Sequence, residues 1–369
     1  MDTEENQATS PGNESANLLD DLLMSSISEG TVIPIISNSL RIEGIFRSIS
    51  TLTGKIPKTP RSSDEYLTIN EQLTREWADS IQYPLPDDHN LARVAQYFQV
   101  HEKNDIAQAK TKYLNFLKMY LLENSLERDY QSIVAQLKLR TQERTFSDIA
   151  SQLEYPRFSS SFEDPLRQLA NLPLPIYVTT SYYNFLERAL ELAGKLPRTQ
   201  VCSWSGGRAR RPEHLPDPNF LPTPENPAVY HLFGLENYAP TLVLSEDDYM
   251  NFLISVAEDT NTQNPGIPLR LREALAESRL ILLGYNLQDW EFRVLFRFIL
   301  KFRKIEISPR STVIQLKPRP KKVEDEKRSL DYLYRYFDIK QFGVKWTSAD
   351  RFIQKLTEEW DKYTKGVMA

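Results

Sequence analysis

The sequence holds one cysteine, Cys202, and only four histidines, His89, His101, His214 and His231, in 369 residues. A lone cysteine closes no internal disulfide and builds no zinc ribbon, which fits a reducing compartment. Four scattered histidines make a multi-histidine metal site a poor expectation, so no metal is expected. No apolar run approaches the length of a membrane-spanning helix. The N-terminal stretch MDTEENQATSPGNESAN is acidic and polar and lacks the apolar core of a secretory signal. The expectation is a cytoplasmic protein with no membrane contact. An excess of either charge is also missing: 45 basic residues stand against 50 acidic ones, for a net charge of -5. Such a balance supplies no field that would draw the chain to nucleic acid. No G-x-x-x-x-G-K-S/T run and no G-x-S-x-G elbow occurs, so P-loop ATPase and Ser-His-Asp hydrolase chemistry are unsupported.

Hydrophobic residues make up 40% of the chain, enough for a sizeable core. The length suggests one core plus an inserted or appended module. Residues 1–17 read as a disordered tail. Leu18 to Ser28 has helical spacing and stops at Gly30. Val32 to Ile36 is a β-branched run that reads as a buried strand. It ends in Ser37-Asn38-Ser39, which suit a turn and helix cap, and an amphipathic stretch follows from Leu40. Strand, polar turn and helix is how a nucleotide-binding βα unit opens.

Residues 55–165 carry helical periodicity over Tyr66 to Ile81, Leu91 to Phe98, Ala107 to Leu122 and Tyr130 to Leu139, and read as a helical insertion. The alternation of strand and helix then resumes. Strands are expected at Ile176 to Thr180, around Val201, at Val229 to Phe233, Thr241 to Leu244, Arg279 to Leu283, Val313 to Leu316 and Phe342 to Trp346. Helices are expected at Tyr183 to Leu192, Asp247 to Ala257, Leu269 to Ala276, Trp290 to Lys301, Glu324 to Tyr336 and Ser348 to Tyr363. The fold class that follows is α/β, a doubly wound and mostly parallel Rossmann-like sheet. No internal repeat is present.

Several segments carry a resemblance when taken in order. Val178 to Glu187 resembles T-T-N-Y-D-x-x-L-E. Tyr230 to Gly234, followed by Leu242 to Tyr249, is similar to L-H-G followed by V-L-T-E-x-D-Y. Leu282 to Arg293 resembles F-L-G-Y-S-x-x-D-x-x-F-R. Trp346 to Phe352 resembles the closing strand and helix of the same family. Together they resemble the sirtuin-like domain of prokaryotic NAD-consuming defence proteins, over most of residues 18–365. The resemblance implies a sirtuin-like domain over 18–54 and 166–369, split by the insertion. It implies NAD as the ligand. Members of the family commonly cleave NAD at the nicotinamide–ribose bond during phage infection.

The chain departs from that pattern at three places. Where the family has G-x-G after the first strand, this chain has Ser37-Asn38-Ser39, so side chains stand where backbone would approach a pyrophosphate. Ser181 stands where the family has an asparagine, and Phe233 where it has the histidine that serves as base. His231 lies two residues earlier, on the same strand face as Phe233 if the strand runs through. It is either a displaced base, with Ser181 beside it, or an ordinary strand histidine. Thr180, Gly234, Gly284, Tyr285, Asn286 and Asp289 are further candidates for the cofactor site, at strand ends where an open α/β sheet takes its ligand. Asp289 suits a ribose contact or a helix N-cap equally. Glu246, Asp247 and Asp248 read as a helix-start acidic group, and Tyr249 and Phe252 as core. Asn184 and Tyr183 read as helix surface. The basic runs Arg208 to Pro212 and Lys317 to Lys322 read as solvated loops.

Three functions are compatible with these residues. The first is a degenerate relative of NAD-hydrolysing effectors, acting as a sensor, scaffold or regulatory subunit. The second is an active NAD glycohydrolase using Ser181, His231, Asn38 and Asp289. The third is a pure protein–protein module. A homo-oligomer or a complex with another protein is expected. Protein deacetylation is disfavoured, because the zinc ribbon is missing.

Overall fold

The computed structural model describes residues 22–53, 67–101, 106–125, 130–156, 163–202, 204, 217, 219–258, 267–287, 289–304, 307–315 and 325–367. The expected tail at 1–17 and the basic runs at 208–212 and 317–322 lie outside the described residues. Residues 22–28 are helical and lead into β1 (Val32–Ile36) and α1 (Asn38–Thr53). Among the described residues a run of helices follows: α2 (Ile69–Ser80), α3 (Leu91–His101), α4 (Ile106–Asn124), α5 (Gln131–Leu139) and α6 (Phe146–Gln152). The chain continues through α7 (Pro165–Ala170), β2 (Ile176–Thr179), α8 (Phe185–Leu192), β3 (Arg198–Val201), β4 (Ala228–His231), α9 (Glu246–Glu258), α10 (Leu269–Glu277) and β5 (Arg279–Leu283). It closes with α11 (Trp290–Phe302), β6 (Ser311–Gln315), α12 (Glu326–Asp338), β7 (Phe342–Trp346) and α13 (Ala349–Val367).

The strands form one seven-stranded sheet in the order β3-β4-β2-β1-β5-β6-β7, with every pairing parallel. This is the doubly wound, Rossmann-like architecture expected from the sequence. Parallel strands bear helices on both faces, so central strands are apolar throughout rather than alternating. All five residues of β1 are buried, as are Leu280 to Leu283 of β5. Ile35 of β1 sits opposite Val178 on one side and Leu282 on the other. The ladder to β2 begins at Ile35, one residue past Pro34, which has no N–H to contribute. The order reverses at β1, whose neighbours β2 and β5 come from different parts of the chain. A ligand crevice in such a sheet opens at that point, beyond the strand C-termini.

Two strand expectations are corrected. Thr241 to Leu244 forms no strand: Glu236–Thr241 is a 3₁₀ turn containing Pro240, with Leu242 to Leu244 irregular after it. Thr241 Oγ1 accepts from the Leu235 amide at 3.2 Å and donates to the Tyr238 carbonyl at 2.7 Å, so side-chain bonds replace a ladder. β4 ends at His231, not Phe233, because the chain turns at Gly234 with φ +87°. His231 and Phe233 therefore do not share a strand face.

Helices α2 to α6 share the core of the sheet domain. Trp77 of α2 packs at 4.7 Å between ring centroids on Tyr113 of α4, and Phe46 of α1 lies 5.6 Å from Tyr120. Lys110 of α4 reaches the start of α9, where its Nζ lies 2.8 Å from the Asp248 carboxylate with both side chains buried. That carboxylate also accepts from the amides of Leu244 and Ser245 at 3.0 Å each. The D-D-Y acid is therefore a helix cap and the anchor of the helical layer. Among the described residues, no helix is long and apolar enough to cross a membrane.

Candidate functional site

The C-terminal ends of β1, β2 and β5 bring Ser37, Asn38, Thr180, Gly284 and Tyr285 together. Ser37 is 1% exposed and caps α1: its Oγ accepts from the Leu40 amide at 3.2 Å and donates to the Gly284 carbonyl at 2.6 Å. Gly284 has φ +79°, and a Cβ there would stand 2.6 Å from Ser37 Oγ and 3.0 Å from Leu40 Cβ. Glycine is required by this turn whether or not a ligand approaches it. Thr180, wholly buried, lies 3.0 Å through its Oγ1 from the Tyr285 hydroxyl.

The residue that completes this group was not anticipated. Glu291, in the first turn of α11, directs its Oε1 at the α1 N-terminus, where it accepts from the Asn38 amide at 3.0 Å. The same oxygen accepts from the Thr180 hydroxyl. A helix N-terminus attracts anions through its free amides and its dipole. Here an internal carboxylate takes up one of those amides, that of Asn38. The only signal in the sequence was an acid in the first turn of a helix, which ordinarily serves its own helix. Burial pushes the Glu291 carboxyl up to about 7 despite the bonds from Thr180 and Asn38.

The rim is acidic. Asp289 occupies the N-cap position of α11, yet its carboxylate caps no amide. It accepts instead from Asn286 Nδ2 at 3.2 Å. Burial, then repulsion from Glu291, Glu71 and Glu43, pushes Asp289 up to about 8. Glu43 of α1 is raised as well, by burial and then by Asp350 and Glu71, against the pull of Arg47. Ser39 accepts from Asn70 Nδ2 of α2 at 2.6 Å, so the helical layer touches the turn directly. No group of three or more His, Cys, Asp or Glu suited to a metal ion occurs among the described residues.

The other candidates are held by different partners. His231 is 0% exposed, and both ring nitrogens are engaged: Nδ1 lies 2.9 Å from the Ser181 carbonyl and Nε2 lies 2.8 Å from Glu187 Oε1. A carbonyl and a carboxylate are both acceptors, so the ring satisfies them only as the doubly protonated imidazolium. Burial opposes that charge, yet Glu187 and the Ser181 carbonyl hold the His231 pKa above its usual value. Burial likewise works against Glu187, and His231 holds it below the usual carboxylate range. The geometry places this histidine in a structural ion pair. Ser181 Oγ accepts the Tyr183 amide at 3.3 Å. Phe233 is core, edge-on to Tyr249 and Phe252 at 5.5 and 5.2 Å. Gly234 packs so tightly on Thr241 that a Cβ would lie 2.4 Å from its backbone carbonyl. Tyr183 is buried against Phe146, not on a helix surface as expected, because α8 begins only at Phe185.

Residues 175–337 match the family model of the SIR2-like domain. The match and the parallel sheet around it support a sirtuin-like domain in this part of the chain. The match takes in β2, β4, the Asp248 cap and the Gly284-to-Arg293 segment. The first strand and its turn lie outside it, as do the closing strand and helix. A comparison with curated proteins gave no match.

Proposed function

We propose that this chain is a sirtuin-like domain that does not cleave NAD and that works as a scaffold, sensor or regulatory subunit. Glu291 carries the reading. SIR2-like domains generally bind NAD, and a bound dinucleotide brings a pyrophosphate to the first strand's turn. In this chain that turn meets a pyrophosphate with the Glu291 carboxylate already on the Asn38 amide, and with Asp289 beside it. The Glu291 carboxylate in place of an open amide does not fit the pyrophosphate. His231, held as an imidazolium, has no lone pair with which to take a proton. On this reading the partner is a second copy of the chain or another protein. Ser37, Asn38, Ser39, Thr180, Tyr285 and Asn286 then hold the fold rather than a cofactor. A cytoplasmic setting and a place among antiviral defence proteins belong to the same proposal.

A second reading rests on a different observation. Asp289 and Glu291 are partly buried carboxyls poised near neutral pH, as groups that move protons often are. They supply what a relocated active site of an NAD glycohydrolase would need. Incubation of the full chain with NAD, followed by chromatography of free nicotinamide, separates the two. No release above a protein-free control is expected. Release that disappears in both Asp289→Asn and Glu291→Gln would replace the first reading with the second.

A further inference from the structure

A pocket of about 270 Å³ lies three strands away from the β1 turn, where β7 ends and α13 begins. Its apolar side is made by Leu23, Phe352 and Leu356, all buried, and Trp346 stands at its wall. Lys345, Arg351 and Lys355 supply three cations, and Glu359 is the single acid among the lining residues. Lys345 Nζ lies 5.5 Å over the Phe352 ring. Lys355 is 3.3 Å from Glu359 in an exposed pair of the kind that solvent screens. Arg351 is exposed and has no carboxylate partner among the described residues. The Trp346 indole Nε1 is buried and has no hydrogen-bond partner among the described residues. Its ring is held edge-on by Tyr334 at 5.7 Å. A buried N–H without an acceptor is uncommon in folded proteins.

We propose that this pocket binds a small organic anion. A flat apolar body lies against Trp346 and Phe352, and a phosphate or carboxylate head meets Arg351 and Lys355. The chemistry follows from the wall: an excess of cations and an aromatic face. The volume sets the size. Small-molecule sites usually run from ~300 to 1,000 Å³, so a single ring system with one charged group fits and a dinucleotide does not. The pocket is separate from the Glu291 turn, and its occupancy does not depend on whether NAD is cleaved.

Adenosine monophosphate and indole-3-acetate serve as probes of the phosphate and carboxylate classes. Adenosine and inorganic phosphate serve as the two halves of the first. Calorimetry on the full chain is expected to show binding of at least one probe, with each half at least tenfold weaker than adenosine monophosphate where that is the probe bound. The exposed double variant Arg351→Ala, Lys355→Ala folds as the parent does and loses at least tenfold in affinity. Trp346→Phe removes the fluorescence change that accompanies binding. Failure of both probes at millimolar concentration overturns the proposal. So does equal binding by the double variant, which would place the ligand elsewhere, or phosphate binding as tightly as adenosine monophosphate.

Discussion

Glu291 and Asn38 meet across 253 residues of chain, with the carboxylate of one accepting the amide of the other at 3.0 Å. The contact joins α11 to the first turn of α1 at the reversal point of the sheet. It sets one negative charge against the Asn38 amide.

Removal of that charge should open the turn to anions. Glu291→Gln keeps an acceptor for Asn38 and Thr180 but not the repulsion. ADP-ribose is expected to raise the Tm of this variant by a few degrees at pH 7.5 and to leave the parent unmoved, since a ligand stabilises only the state that binds it. A flat response in the variant would mean that something other than Glu291 closes the turn.

The raised carboxyls make stability depend on pH. Asp289 and Glu291 hold their protons more tightly when folded, up to about 8 and about 7, than at their ordinary values of 3.8 and 4.5. Between those limits the folded chain binds more protons than the unfolded one, so stability falls as pH rises. The loss begins above about pH 4 and is complete above about pH 8. Urea midpoints taken from pH 5 to pH 8 should decline in the parent. The double variant Asp289→Asn, Glu291→Gln should flatten the slope and gain on the order of 1–2 kcal/mol at pH 8. An unchanged slope would assign the dependence to other groups.

His231→Ala leaves Glu187 buried without its cation. Breaking one side of a buried pair costs about 3–5 kcal/mol. The measurement is the urea midpoint together with nicotinamide release. A variant as stable as the parent would contradict the ion-pair role.

Gly284→Ala puts a Cβ 2.6 Å from Ser37 Oγ at a positive φ. A loss of about 2–4 kcal/mol is expected. In a Ser37→Ala background the oxygen clash disappears, while the backbone strain and the Leu40 contact stay, so the added cost of Gly284→Ala should shrink without vanishing. Full additivity of the two changes would show that the side chains do not collide.

Much of this fold was legible because its signals are local. Val32 to Ile36 and Arg279 to Leu283 are apolar runs bounded by turn residues, and both are strands with buried interiors. Ser37 read as a cap and is one. Thr241 to Leu244 misled because its composition is that of a strand, whereas Pro240 and the Thr241 hydroxyl bind the segment into a turn. Glu291 was invisible for another reason. Its partners lie 253 and 111 positions away, and nothing in the W-E-F-R run says where its carboxylate points. The same holds for Lys110 and Asp248, which are 138 residues apart. Charges that pair across the fold leave no period in the sequence.

The central place of β1 bears on how the chain is made. Its turn residue Ser37 bonds to Gly284, 247 residues further on. During synthesis Val32 to Ile36 leaves the ribosome long before either neighbouring strand exists. Until then it is an unpaired apolar edge, the kind of segment that associates with other chains. Long-range parallel pairing is also slow to form. The helical layer synthesised directly after it is the next part of the fold that can cover β1 while it waits.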